Sequence, residues 1–237
     1  MLSIELIPII IFAAFTQAAL GFGFGLIFVS LGSLFFSAKD IIPLSFIMGL
    51  FMDAVLIVNT YKFRPKKRIL DLVLMGVLGA PIGLFLFHYL DISILEPILG
   101  VFLIIAIIVL FFDKLDIPHT SISKKVSGFM IGIIGALFGV AGPFISIFLL
   151  SDRYLTRKQN IYVMNSYFIG ITFIAFLVYF LNGAYDKLQF LDLISLTVFT
   201  IFGVFLGLMV GQKLSKTLYV NSVYVLILIS GIMLIMS

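Results

Sequence analysis

The chain has 237 residues, of which 62% are apolar by type and only 11% are Asp, Glu, Lys or Arg, with a net charge of +4. This charged fraction is less than half that of an ordinary soluble domain, so the composition excludes a soluble globular protein, a disordered chain and a nucleic-acid-binding protein. It predicts an all-α protein that crosses a membrane several times, because each segment in hydrocarbon must satisfy its own backbone hydrogen bonds.

Eight apolar segments follow one another along the chain, at Leu6–Phe36, Ile41–Thr60, Ile69–Leu90, Pro97–Phe112, Val126–Leu150, Asn160–Leu181, Phe190–Gly211 and Leu218–Ser237. Most of them suit a hydrocarbon core about 30 Å thick. The first is too long, since as one helix it would reach roughly 46 Å. Gly21, Gly23 and Gly25 interrupt it, and we expect the helix to break there. The first residues lack a basic region and a cleavage site, which predicts no removable signal peptide.

The basic residues indicate how the segments are arranged. If all eight cross once, the 15 basic residues divide 9 to 6 between the two sides, which is a weak indication of orientation. If the first and fifth segments instead turn back at their glycines as helical hairpins, only Lys39 and Lys187 lie on one side. The other side then holds Lys62, Arg64, Lys66, Lys67, Arg68, Lys114, Lys124, Lys125, Arg153, Arg157, Lys158, Lys213 and Lys216. Positive charge in short loops marks the cytoplasmic side, so both termini are predicted outside a cell membrane. The alternative is a fifth segment that crosses as one tilted helix.

Two glycine patterns recur in the two halves of the chain. Gly21 to Gly25 in the first segment corresponds to Gly139 to Pro143 in the fifth, and the pair Gly79 and Gly83 corresponds to Gly203 and Gly207. A hairpin plus three spanning helices in each half makes an odd number of passes, so the halves face opposite ways as an inverted repeat. A tandem duplication with eight crossings would give parallel repeats instead.

The domain organisation follows from this repeat. We expect a single transmembrane domain over residues 1–237, with repeat halves 1–112 and 126–237 joined by the loop 113–125. This architecture is common among secondary transporters, which bind their substrates near the middle of the membrane between the two halves.

The glycine breaks are the predicted anion site. A helix that restarts after a break points backbone N–H groups and a partial positive charge at the middle of the membrane. The predicted substrate-binding residues are Gly21, Gly23, Gly25, Gly139, Gly142 and Pro143. The alternative is that these glycines only allow close helix packing, which we favour for the Gly79/Gly83 and Gly203/Gly207 pairs.

Polar side chains inside apolar segments are further candidate ligands. Gln17, Ser146, Asn165 and Ser166 have donors for the oxygens of an anion. Hydrogen bonds between helices are the equally reasonable alternative. Basic residues are absent from the apolar segments, so an anion there is held by neutral donors and helix termini.

Asp53 is the carboxylate that lies deepest inside an apolar segment. A charge at this depth is costly and needs a partner, a water-filled cavity or a proton. We therefore assign Asp53 a coupling role, with the proton as the coupling ion. The alternative is a carboxyl that only packs, hydrogen-bonded to Asn59 or to another helix.

The sequence gives no sign of an enzyme, a metal centre or a cofactor. Cysteine is absent and there are only two histidines, and this composition argues against a catalytic metal site. No nucleotide-binding loop or nucleophile constellation is present, which argues against a primary pump or a catalytic site.

The chain resembles the TauE/SafE sulfite exporter family in its length, its two weakly similar halves and the glycine-rich break that opens each half. The family's glycine-rich stretches fall on Gly21, Gly23 and Gly25 and on Gly139, Gly142 and Pro143, while Phe24 and Ala141 interrupt the glycine runs. The resemblance implies transport of sulfite, sulfoacetate or related sulfur-containing or organic anions, and the name of the family implies export.

The sequence therefore predicts a secondary transporter of small anions that works by alternating access around a site at the middle of the bilayer. Its partners are the anion, the lipid bilayer and protons, and a homo-oligomer is compatible with the sequence. A passive anion channel and a non-transporting membrane interaction subunit are the alternatives.

Overall fold

A computed structural model describes residues 5–65, 70–112, 120–150, 156–186 and 190–210, together with residues 225, 227–229 and 231–236. These residues contain α-helices and no strands, as predicted for an all-α membrane protein. The helices are α1 (Leu6–Leu20), α2 (Phe24–Gly32), α3 (Ala38–Thr60), α4 (Leu70–Tyr89), α5 (Ile92–Phe112), α6 (Ser121–Phe138), α7 (Gly142–Leu150), α8 (Arg157–Leu181) and α9 (Phe190–Val210). A 3-10 turn, Tyr61–Phe63, follows α3, and the stretch Ile227–Met236 is also helical where it is described.

Five of the described helical stretches are long and apolar enough to cross a membrane. They are Ala38–Phe63, Leu70–Tyr89, Ser121–Phe138, Lys158–Leu181 and Leu191–Met209. Large apolar side chains such as Leu78, Phe85 and Phe202 are exposed on the outside of the bundle. Such a surface suits contact with lipid chains and confirms a multi-pass membrane protein.

Both predicted helix breaks are present at the glycines. Gly21 ends α1 with φ 93° and Gly23 precedes α2 with φ 118°, while Gly139 ends α6 with φ 69°. These left-handed conformations are costly for residues with a Cβ atom. The long first segment is therefore two helices, α1 and α2, and the fifth is α6 and α7.

The start of α6 differs from the predicted start of the fifth segment at Val126. The helix begins at Ser121, because Thr120 caps it by accepting a hydrogen bond from Ser123 N at 3.1 Å. Hydropathy places a boundary where charge begins, whereas a cap extends a helix through a polar first turn.

Glycines set the contacts between α4 and α6 and between α1 and α9. A Cβ on Gly203 would lie 2.5 Å from Ile11 O, and one on Gly207 would lie 2.5 Å from Phe15 O. The corresponding glycines of α4, Gly79 and Gly83, face the backbone of α6 in the same way, against Phe129 and Ile133. Within each pair the residue numbers rise together, so the two helices run parallel. These glycines let the helix backbones touch, the packing role favoured for them from the sequence.

Helices α3 and α8 form an antiparallel pair at the centre of the bundle. At one end Tyr185 donates a hydrogen bond to Pro43 O at 2.9 Å, and further along the rings of Phe46 and Tyr179 stack at 5.7 Å. At the other end Lys158 Nζ lies 4.6 Å from the ring centre of Phe63. The start of α8 is therefore at the same end of the bundle as the end of α3.

These directions place both ends of α6–α7 at one end of the bundle. A short link joins the end of α3 to the start of α4, and α6 runs parallel to α4 with their starts side by side. Helix α8 also begins at this end. The chain therefore leaves this end of the bundle along α6 and is back at the same end where α8 starts. By the same reasoning α1–α2 begins and ends at the opposite end, where α9 and α3 start.

Several predictions on loop charges concern residues outside the described ranges. These are Lys66, Lys67, Arg68, Lys114, Arg153, Lys187, Lys213 and Lys216, together with most of the loop 113–125.

Candidate functional site

A cavity lies where the two helix breaks meet, between α3 and α8. Its volume is about 60 Å³, enough for a few waters or one small anion, since a single water needs roughly 10–15 Å³. The first break lines it with Gly23, Phe24, Gly25 and Leu26, and the second with Gly139, Val140, Ala141 and Gly142. Gln17, Ser45, Phe46, Gly49, Met52, Asp53, Gly135, Phe168, Ile171 and Thr172 complete the wall.

The two breaks are in direct contact. A Cβ on Gly25 would overlap the carbonyl oxygen of Gly139, so only glycine fits at this crossing. On the other side of the crossing, a Cβ on Gly142 would lie 3.3 Å from Phe22 Cβ and 3.5 Å from Gly23 N. The starts of α2 and α7 therefore share one small volume.

The first turns of α2 and α7 bring backbone donors to this volume. In α2, Phe24 N donates to Gln17 Oε1 at 3.1 Å and Ile27 N donates to Gly23 O at 2.9 Å. The N–H groups of Gly25 and Leu26 lie between them and have no acceptor within their helix, as for any first turn. Both residues line the cavity.

The start of α7 has fewer donors because Pro143 has no N–H. Ile145 N donates to Ala141 O at 3.2 Å. Gly142 and Phe144 are then the first-turn residues whose N–H groups lack an acceptor within the helix. The partial positive charges of both helix starts fall at the crossing, which favours a negatively charged ligand there.

Gln17 connects the first break to α8. Its Oε1 accepts from Phe24 N, and its Nε2 donates to Asn165 Oδ1 at 3.2 Å. Asn165 in turn donates through Nδ2 to Ile161 O at 2.7 Å. Both amide side chains are buried. The chain of hydrogen bonds from Phe24 through Gln17 and Asn165 to Ile161 therefore holds the start of α2 in place.

Asp53 faces the cavity from α3 and is only 1% exposed. Its Oδ1 has no hydrogen-bond partner in the part of the chain that the structure describes. The Thr172 hydroxyl on α8 is within hydrogen-bonding reach of the carboxyl, yet it donates to Phe168 O at 2.6 Å. Ser45, also in the wall, donates to Ile42 O at 2.6 Å. The Oδ1 atom therefore lacks the donor that a buried carboxylate oxygen needs.

The described cavity wall contains no Lys, Arg or His. Asp53 is its sole ionisable group, and any positive potential in the cavity comes from the helix starts and neutral donors. No group of three or more His, Asp or Glu side chains that could hold a metal ion occurs among the described residues.

The other predicted site residues, Gly21, Pro143, Ser146 and Ser166, do not line the cavity. Gly21 packs against Ile161 of α8, and Pro143 lies in the first turn of α7. Ser146 is buried and donates to Pro143 O at 2.8 Å, and Ser166 is half-buried on α8. The structure thus brings Gln17, Gly23, Gly25, Gly139, Gly142 and Asp53 together, with Asn165 one hydrogen bond away.

Sequence reasoning did not single out Ser45 or Thr172. Both are polar residues in apolar segments, which is the signal that selected Ser146 and Asn165. The sequence does not reveal the antiparallel register of α3 and α8, which brings Thr172 against Gly49 and beside Asp53.

Comparison with known protein families gives one match that spans almost the whole chain. The family model described as Sulfite exporter TauE/SafE matches residues 6–234. No curated protein and no solved structure matches the chain.

Proposed function

Because the chain belongs to the sulfite exporter TauE/SafE family, we propose that it is a secondary transporter that exports small anions, with sulfite and sulfur-containing organic anions as its substrates. The observation that carries this proposal is the crossing of the two helix breaks. Gly25 and Gly139 touch there, and the first turns of α2 and α7 present backbone donors to one cavity.

The packing of the helices supports an inverted repeat with halves 1–112 and 126–237. Helix α4 of the first half lies along α6 of the second, and α9 of the second half lies along α1 of the first, with equivalent glycines at both contacts. The hairpins α1–α2 and α6–α7 enter from opposite ends and meet in the middle. This arrangement suits alternating access, in which one half rocks against the other around a fixed site.

The charges support an orientation in the cell membrane. The end of the bundle where α3 ends and α4, α6 and α8 begin contains Lys62, Arg64, Lys124, Lys125 and Lys158 among its described residues, and Lys39 lies at the other end. Positive residues accumulate on the cytoplasmic side. We therefore place the hairpin α6–α7 on the cytoplasmic side, and α1–α2 and both termini outside.

Asp53 supports coupling to protons. It is a buried ionisable group in the wall of the proposed anion site, and such groups mark ion and proton pathways in membrane proteins. Its Oδ1 has no hydrogen-bond partner among the described residues, so protonation is the simplest way to lower the free-energy cost of burying this carboxyl.

Uptake into liposomes that contain the purified protein tests the proposed function. A transporter accumulates labelled sulfite against its concentration gradient when a pH gradient is imposed, whereas a channel only equilibrates it. A protein that interacts with partners without transporting shows no flux beyond that of empty liposomes. Either of the last two results contradicts the proposal.

A further inference from the structure

We propose that the site takes a singly charged anion together with one proton on Asp53, so that each transport cycle moves no net charge. This inference rests on the proposed function and goes beyond it, because it specifies the charge of the substrate and the sign of the coupling. The observation that carries it is the position of the Asp53 carboxyl in the same cavity wall as Gly25, Leu26 and Gly142.

Asp53 has no charged neighbour in the described wall of the cavity. Helices α1, α2, α3, α6 and α8 and the second break contribute the described cavity wall, and Asp53 is its only ionisable member. Two further helices, α5 and α9, also pack against α3. Their described ionisable groups, Glu96 and Asp192, lie near the starts of these helices, at the end of α3 where Ala38 N donates to Glu96 Oε1 at 3.2 Å. From Ala38 to Asp53 is roughly 22 Å of helix, so these carboxylates are remote.

Charge balance in the cavity favours a protonated Asp53 when the anion is bound. An anion at the helix starts and a carboxylate in the same small cavity would repel each other in a medium that screens charge poorly. No described side chain in the wall offsets either charge. Protonation of Asp53 removes the repulsion, and the pair of anion and proton is then neutral as a unit. A doubly charged anion would leave one negative charge without compensation at the middle of the membrane, which is costly.

Thr172 is a hydrogen-bond partner for the protonated form of Asp53. The Thr172 hydroxyl donates to Phe168 O, and its oxygen is able to accept a hydrogen bond from a protonated Asp53. When the proton leaves, the carboxylate loses this donor role and repels the anion. Binding of the anion and binding of the proton therefore favour each other, and the two travel in the same direction.

Electroneutral coupling is compatible with export. A cell that produces the anion raises its inside concentration, and this gradient drives anion and proton outward together against the pH gradient. The membrane potential neither helps nor hinders such a cycle.

Methanesulfonate is a suitable probe because it is singly charged at all pH values of interest and does not cross lipid as a neutral acid. Purified full-length protein in liposomes is given labelled methanesulfonate, while potassium and valinomycin set the voltage. We expect each unit of imposed pH gradient to raise the final accumulation about tenfold. We expect no effect of voltage, whereas a cycle with one net charge would change accumulation about 50-fold for 100 mV.

Asp53→Asn is expected to exchange methanesulfonate without carrying protons, and Asp40→Asn, which changes an exposed carboxylate at the start of the same helix, is expected to behave as the wild type. Accumulation that follows voltage, a requirement for sodium ions, or transport of sulfate as fast as methanesulfonate would overturn the inference while leaving the proposed function intact. Absence of flux for every probe would overturn the proposed function and this inference with it.

Discussion

Gly25 of α2 lies directly against the carbonyl oxygen of Gly139, so the two helix breaks of the chain cross in contact with each other. The contact joins residues 114 positions apart in the sequence. It places the starts of two short helices at one point inside an apolar bundle, where an unpaired backbone donor is costly unless a ligand or water meets it.

Replacement of Gly25 by alanine is expected to destabilise the fold. The added Cβ would overlap the backbone of Gly139, and backbone cannot move aside as a flexible side chain can. Overpacking of this kind costs about 1–3 kcal/mol or more. The melting temperature in detergent checks the prediction. Gly170→Ala is the control, because its Cβ would meet only side-chain atoms of Val77 at 3.0 Å and Val73 at 3.4 Å. Equal melting temperatures for the two variants would contradict the account of the crossing.

Gln17→Glu is expected to lower the affinity for the anion, with a smaller effect on the stability of the fold. The new carboxylate can still accept from Phe24 N, but it adds a negative charge at the cavity wall and loses the donor to Asn165. Gln17→Met, which removes the hydrogen bonds without adding charge, separates the two effects. Sulfite affinity is measured for both. An affinity for Gln17→Glu equal to or above that of Gln17→Met would show that no anion binds near Gln17.

Part of this arrangement is predictable from the sequence, and part depends on contacts between distant residues. The break at Gly21 and Gly23 follows from a local rule, because glycines interrupt a segment that is too long for one helix, and the break at Gly139 follows from the similar glycine pattern in the second half. The hydrogen bond from Gln17 to Asn165 spans 148 positions, and no local rule reveals it. The neighbourhood of Asp53 likewise depends on the register of α3 against α8, which hydropathy does not encode.

Labelling of single cysteines tests the orientation. The chain has no natural cysteine, so Lys39→Cys and Lys158→Cys need no prior mutation. Impermeant maleimide added to intact cells is expected to label Lys39→Cys and not Lys158→Cys, and lysis should expose the second. The reverse pattern would place α6–α7 outside, and labelling of both in intact cells would contradict the assignment of the two ends to opposite sides.

Asp53→Asn is expected to abolish accumulation driven by a pH gradient while keeping exchange of sulfite for sulfite. The amide has nearly the shape of the carboxyl but cannot take up and release a proton. Proteoliposome flux with and without the gradient separates the two activities, and Asp40→Asn is the matched control. Continued accumulation by Asp53→Asn under a pH gradient would remove Asp53 from the coupling mechanism.

The most direct test of the central claim, that an anion binds where the two breaks cross, is sulfite-dependent thermal stabilisation of the wild type, Gly142→Ala and Gly170→Ala. A Cβ at Gly142 would lie 3.3 Å from Phe22 Cβ and 3.5 Å from Gly23 N, close enough to occupy the crossing without overlapping backbone. At a hundred times Kd, sulfite should stabilise the wild type by about 2.7 kcal/mol. We predict that Gly170→Ala keeps this stabilisation and that Gly142→Ala loses most of it while remaining folded in the membrane. Equal stabilisation of all three proteins by sulfite would contradict binding at the crossing.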